Sequence, residues 1–274
     1  MSQKPVNILQ TYSEPVRALF FFAYVFFVYL LIFYTIQDDL IFHPEQTYIS
    51  PKQLGTDLFI EQPLTMTDGT RVMTWYAPRK TGKPALLFFH GNAGQIARFA
   101  PQLISFVHQG YPVMMVEYRG FAQTPGHLRQ DTAFSDAAAA FDFLKEKGHS
   151  KIVAMGYSFG SAVAVGLADR RPIDGLILMA PFESLEQFIA ETPIPFARYI
   201  LKDSYPSSEL IRDVYVPILM IHGKRDLLIP SDHAERLYGL AGSAHRQLKL
   251  TDDDHSSVFF SGKNLPLILK WLGQ

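Results

Sequence analysis

Ile152-Val153-Ala154-Met155-Gly156-Tyr157-Ser158-Phe159-Gly160-Ser161-Ala162-Val163-Ala164-Val165 decides how this chain is read. An apolar run of strand length feeds into G-x-S-x-G, and a run of small and aliphatic residues with helical character leaves it. With Gly and Ser each at roughly 7% of residues, a chain of this length contains the pattern by chance about one time in ten. Its weight therefore comes from the strand before it and the helix after it. A sharp strand-to-helix turn forces its central residue into strained backbone angles and brings the residues two positions to either side almost into contact. Gly156 and Gly160 meet that demand, and Tyr157 and Ser158 form the tip. Such a turn lifts the Ser158 hydroxyl above the sheet edge, at a helix N-terminus whose free amides favour developing negative charge.

Outward from this turn, apolar runs recur at 84–89, 112–117, 151–156, 175–180 and 216–222. They are continuous, as in strands buried on both faces of a parallel sheet. Helical patterns at 95–109, 131–147, 159–171, 231–240 and 265–272 fall between and after them, so the class is α/β with right-handed crossovers. Residues 56–65 and 70–78 flank Asp68-Gly69, a tight-turn dipeptide, and read as an antiparallel start to the sheet. The interval 182–214 breaks the rhythm with Pro193, Pro195 and Pro206. It reads either as a small irregular cap or as a crossover helix with a ragged loop.

A serine hydroxyl needs a general base at neutral pH, and the base needs a carboxylate to hold it. His255 lies in the loop after the final strand pattern, 245–250. Asp226 follows the strand 216–222, at the carboxyl end where ligands bind in open sheets. The order Ser158, Asp226, His255 is that of the hydrolase layout built on G-x-S-x-G. His90-Gly91-Asn92-Ala93-Gly94 follows the strand 84–89. Its backbone amides, at Asn92 or Ala93, together with that of Phe159, are the candidate oxyanion donors. His90, preceding the turn, is read as structural.

Residues 18–36 form a run of 19 without a charge, close to the roughly 30 Å needed to cross a bilayer core. No small-x-small cleavage site ends the run, so an uncleaved anchor is expected. Lys4 and Arg17 precede it, and the next basic residue is Lys52, which predicts a cytoplasmic N-terminus. The expected organisation is a tail at 1–17, an anchor at 18–36, a juxtamembrane linker at 37–54 and a catalytic domain at 55–274. The absence of an N-x-[ST] sequon favours a bacterial inner membrane with the domain in the periplasm. A formal net charge of −1 on 274 residues argues against nucleic acid as a partner. Zero cysteines remove disulfides and thiolate chemistry. No phosphate-cradling or zinc-hydrolase motif occurs, so no metal and no cofactor is implied.

Phe88-Phe89-His90-Gly91-Asn92-Ala93-Gly94, Glu117-Tyr118-Arg119-Gly120, Gly156-Tyr157-Ser158-Phe159-Gly160, and His222-Gly223 with Asp226 and Pro230 together resemble the alpha/beta-hydrolase superfamily. The chain is similar in particular to membrane-anchored serine hydrolases of the alpha/beta-hydrolase-domain-containing group, some of which are protein depalmitoylases. The resemblance implies nucleophile, acid and base at Ser158, Asp226 and His255. Three departures stand out: Glu117 replaces an Asp, Phe121-Ala122-Gln123-Thr124 replaces Tyr-Gly-x-Ser, and Asp252-Asp253-Asp254 precedes His255. Three carboxylates beside His255 would favour its charged form and move the activity profile to higher pH. The expected function is ester or thioester hydrolysis, with small or lipid-like acyl substrates. A serine peptidase and a catalytically silent, membrane-tethered binding module are the alternatives.

Overall fold

Eight strands form the central sheet: β1 Ile60–Glu61, β2 Thr74–Ala77, β3 Ala85–Phe89, β4 Val113–Val116, β5 Ile152–Tyr157, β6 Gly175–Met179, β7 Ile218–Gly223 and β8 Arg246–Thr251. The computed structural model describes residues 12–79 and 82–273. Across the sheet the order is β8-β7-β6-β5-β3-β4-β2-β1. The six strands from β8 to β4 run parallel, whereas β2 pairs antiparallel with β4, and β1 with β2. The Asp68-Gly69 turn joins a separate short antiparallel pair, Leu64–Thr65 with Arg71–Val72.

The helices are α1 Glu14–Ile41, α2 Ile96–His108, α3 Gln130–Glu146, α4 Phe159–Arg170, α5 Leu185–Ala190, α6 Ser207–Leu210, α7 Asp232–Leu240, α8 Ser257–Phe260 and α9 Leu265–Leu272. Successive residues of a strand face opposite sides, and β3 shows the result. Leu86 and Phe88 join a core with residues of α2, α8 and α9, while Ala85, Leu87 and Phe89 join one with residues of α3, α4 and α7. Both faces of the central strands are thus covered by helices, which is why their sequences are apolar at every position.

Residues 182–214 lie between β6 and β7 as α5, a 3-10 turn at Ala197–Ile200, α6 and a second 3-10 turn at Ile211–Asp213. The prolines divide the segment, and a broken cap replaces any single crossover helix.

The N-terminal end departs from the expected plan. Of the tail at 1–17, residues 1–11, including Lys4, lie outside the described residues. Helix α1 has 28 residues, about 42 Å at 1.5 Å each, and is long and apolar enough to cross a membrane. It extends past the expected anchor at 18–36, and its C-terminal part is docked on the body of the protein. The Tyr29 hydroxyl donates to the Pro195 carbonyl at 2.8 Å, and the rings of Phe26 and Phe196 meet edge to face at 5.2 Å. Gln37 is buried, donating to the Ile200 carbonyl at 3.2 Å and accepting from the Lys202 amide at 2.9 Å. Asp38 accepts two bonds from Arg129, at 2.9 and 2.8 Å, and one from Lys202 at 2.7 Å.

The segment 37–54 is likewise packed rather than a free linker. Residues 37–41 complete α1, and His43–Pro44 pairs parallel with Ala93–Gly94. The Gln95 side chain accepts from the Ile49 amide at 2.9 Å and donates to the Thr47 carbonyl at 2.7 Å. The folded body therefore begins before residue 55. The reason is physical: buried backbone groups must be paired, and the exit from α1 finds its partners in the loop after β3.

Candidate active site

Ser158 sits between β5 and α4 with φ 53° and ψ −121°, an uncommon conformation for a non-glycine residue. What makes the turn possible is the absence of side chains around it. A Cβ on Gly156 would lie 2.3 Å from the Gly160 carbonyl oxygen, and one on Gly160 would lie 2.1 Å from that of Phe89. Ser158 is held by its own amide, which donates to the Met179 carbonyl at 2.7 Å.

Ser158, His255 and Asp226 come from three separate loops and meet. His255 Nε2 lies 3.0 Å from Ser158 Oγ, and His255 Nδ1 lies 2.7 Å from Asp226 Oδ2. The second Asp226 oxygen accepts from the amides of Leu228 and Ile229 at 2.9 and 2.8 Å. Two side chains that the sequence places in motifs without assigning them these contacts complete the arrangement. His222, fully buried, places Nε2 3.3 Å from Asp226 Oδ2 and 2.8 Å from the Ile229 carbonyl. Tyr157 lies beside the imidazole, its ring centre 5.5 Å away, and donates to the His255 carbonyl at 3.1 Å. Gly223 lets the two loops approach, since a Cβ there would stand 2.3 Å from the Asp253 carbonyl oxygen. The His222-Gly223 dipeptide at a strand end was the sequence signal for His222 and Gly223, and the elbow motif was the signal for Tyr157.

Burial pushes the Asp226 carboxyl upward, but hydrogen bonds from His222, His255 and the Ile229 amide outweigh it and hold the group well below the usual carboxylate range. A depressed folded-state value adds stability that is fully present above the unfolded value near 4, and that is lost as pH falls through the folded value. The Asp226→Asn variant should therefore lose less stability than the wild type between pH 6 and pH 3. Urea midpoints at the two pH values check this, and equal losses would contradict it.

The acidic run is arranged differently from the sequence expectation. Asp253 is buried and binds Thr251 Oγ1 at 2.7 Å and Asn264 Nδ2 at 3.1 Å. Asp254 accepts from the Ser257 amide at 2.7 Å, and the exposed Asp252 lies 4.0 Å from Lys224. These carboxylates are engaged in shaping the loop, and the carboxylate that bonds the His255 imidazole is that of Asp226.

The Asn92 loop is set from the other side. The Asn92 side chain donates to the Ile41 carbonyl at 2.6 Å, and its own carbonyl accepts from the His43 amide at 2.9 Å. Phe159 is the first residue of α4, so its amide has no acceptor within the helix. Ala93 takes part in the short pairing with His43. His90, fully buried, bonds Glu117 Oε1 at 2.8 Å, and the other Glu117 oxygen accepts from the Ile96 amide at 2.9 Å. The longer Glu in place of Asp thus joins the β3 loop to the start of α2, and both His90 ring nitrogens are engaged, Nε2 with Glu117 and Nδ1 with the Gly91 carbonyl at 2.8 Å.

A cavity of about 290 Å³ opens onto Ser158, Phe159 and Asn92. Its walls are apolar: Phe33, Leu40 and Ile41 from α1, and Leu185, Phe188 and Ile189 from α5. Among the described residues no carboxylate lines it, and no group of His, Cys, Asp and Glu could hold a metal ion.

Known proteins with similar sequences and structures fit this architecture. The profile of a family described as serine aminopeptidase, S33, matches residues 80–212, a stretch that holds Ser158 but ends before Asp226 and His255. The YfhR protein of Escherichia coli strain K12 is 32% identical over 227 residues, covering 77% of this chain and 79% of that protein. The alpha/beta hydrolase domain-containing protein WAV2 of Arabidopsis thaliana is 27% identical over 241 residues, covering 78% of this chain and 77% of WAV2. The solved structure of Pyrococcus furiosus esterase Pf2001 superposes with a TM-score of 0.69 at 18% identity, covering 85% of this chain and 98% of that one.

Proposed function

The chain belongs to the alpha/beta-hydrolase superfamily, and on that premise we propose that it is a membrane-anchored serine hydrolase of carboxylic esters or thioesters. The observation that carries the reading is the unbroken series of contacts from Ser158 Oγ through His255 to Asp226, at 3.0 and 2.7 Å. Ser158 Oγ attacks the acyl carbon while His255 Nε2 takes the hydroxyl proton. Asp226 fixes the imidazole with Nδ1 protonated and stabilises the imidazolium. The amides of Phe159 and of Asn92 or Ala93 receive the developing oxyanion. His255 then returns the proton to the leaving alcohol or thiol, and water releases the acyl group by the same steps in reverse roles.

The family profile's description favours a second reading, amide cleavage at a free amino terminus. An aminopeptidase must bind an ammonium group, and the apolar, carboxylate-free cavity favours an acyl chain instead. The discriminating experiment sets p-nitrophenyl esters against aminoacyl p-nitroanilides with the detergent-solubilised full chain. Ester turnover exceeding anilide turnover by a factor of 100 or more is expected, and the reverse order would establish the peptidase. No turnover of either class would favour the binding module.

The apolar side chains exposed along α1 between Leu19 and Ile36 support insertion of the helix in a bilayer. We place the N-terminus in the cytoplasm and the catalytic domain outside it, facing the periplasm of a bacterial inner membrane. Because the chain has no cysteine, one introduced at exposed Tyr215 reports topology directly. A membrane-impermeant maleimide should label Tyr215→Cys in intact spheroplasts, and labelling only after lysis would reverse the orientation.

A further inference from the structure

The cavity next to Ser158 is built partly from the helix that the sequence treats as a mere anchor. Phe33 is buried against the body of the protein, and Leu40 and Ile41 continue the same wall to the loop holding Asn92. Leu185, Phe188 and Ile189 of α5 supply further lining, and Leu228, whose amide donates to Asp226, joins it. Docking of α1 is specific: Gln37 and Asp38 are polar residues in an apolar helix, and both are spent on contacts to residues 200–202 and Arg129. The apolar path continues beyond the cavity. Leu40 and Leu228 remain about half exposed at its edge, and neighbouring Leu227 is 97% exposed. Phe196 at the tip of the cap is also exposed, and it touches Phe26 well inside the stretch of α1 whose apolar side chains face outward.

We infer that this cavity is the acyl-chain site, that the chain reaches it from the bilayer along α1, and that Phe33 and Leu40 of the anchor helix set the acyl length accepted. The substrate class is then an ester or thioester carrying a single long acyl chain held in the membrane. This deepens the proposed function and rests on Ser158 being the nucleophile. Three observations favour that occupant over a soluble one. The lining is predominantly apolar, and among the described residues no carboxylate joins it. The volume of about 290 Å³ lies at the small end of ligand sites, room for one chain rather than two. The helix forming one wall is the helix whose remaining length is suited to lipid. Each methylene buried in such a site strengthens binding about fourfold, so chain length is the property the site reads.

The test uses the full chain in mixed micelles with p-nitrophenyl esters from two to twelve carbons, for the wild type, Phe33→Trp and Leu40→Trp. Labelling of Ser158 by a small fluorophosphonate is measured in the same preparations. For the wild type, kcat/KM should rise with chain length. In Phe33→Trp the ratio of kcat/KM for the ten-carbon ester to that for the two-carbon ester should fall at least tenfold, and Leu40→Trp provides the same readout if Phe33→Trp does not fold. A ratio unchanged in whichever variants fold, with Ser158 labelled in the wild type, overturns the acyl-site inference alone. Failure of the wild type to label overturns the serine-hydrolase reading on which it rests.

Discussion

His255→Ala lowers kcat for a p-nitrophenyl ester by about a millionfold while KM changes little. The magnitude follows from what the imidazole does. In the structure it lies within hydrogen-bond distance of both Ser158 Oγ and Asp226 Oδ2, so its removal leaves a hydroxyl with no base and takes from the buried Asp226 carboxylate its link to the nucleophile. Groups that act as one unit are non-additive, and loss of either nucleophile or base in such a site costs roughly the same as loss of both. The double variant Ser158→Ala with His255→Ala should therefore be no slower than either single one. Asp226→Asn should cost about 10⁴, because the wrong tautomer of His255 is then favoured. Steady-state kinetics on folded protein, with circular dichroism as the folding check, measures all four. A loss below a hundredfold for His255→Ala would mean that another group takes the Ser158 proton.

The second large effect is on the scaffold. Gly160→Ala places a methyl carbon 2.1 Å from the Phe89 carbonyl oxygen, in a contact between two backbones that neither can relieve by turning a side chain. Overpacking of this kind belongs to the exceptional class of substitutions that cost more than about 4 kcal/mol. The expected result is a large fall in the urea midpoint, together with loss of Ser158 reactivity, since β3 and α4 would separate. Gly239→Ala is the control: it lies in α7 with open space around it and should be neutral or slightly stabilising. Equal stability of Gly160→Ala and the wild type would contradict the tight turn.

These two predictions draw on the part of the molecule that the sequence expresses best. The strand, the two glycines and the serine are local, and their spacing alone dictates a turn in which β5 meets α4. Asp226 and His255 were legible because a parallel sheet brings the loops after successive strands to one edge, so that chain order predicts proximity. Tyr157 and His222-Gly223 were legible as parts of motifs, but their contacts with Asp226 and the His255 loop were not. They depend on which residues of two distant loops cross, and a sequence carries no direct mark of such a crossing. The role of α1 was hidden for a different reason. Its apolar length speaks first, and the polar positions Gln37, Asp38 and Asp39 near its end hint that the helix docks on the body instead of leading to a free linker. The acidic run before His255 shows the converse: three neighbouring carboxylates in sequence can point to three different partners once the loop is folded.

The central claim is that Ser158 is a nucleophile activated by His255 and oriented for attack in an apolar cavity. Fluorophosphonate labelling of the detergent-solubilised full chain, followed by peptide mapping of the adduct, tests it most directly. The account predicts a single covalent adduct on Ser158, absent from Ser158→Ala and strongly slowed in His255→Ala. A well-folded wild type that takes up no probe, or an adduct on any other residue, would contradict it.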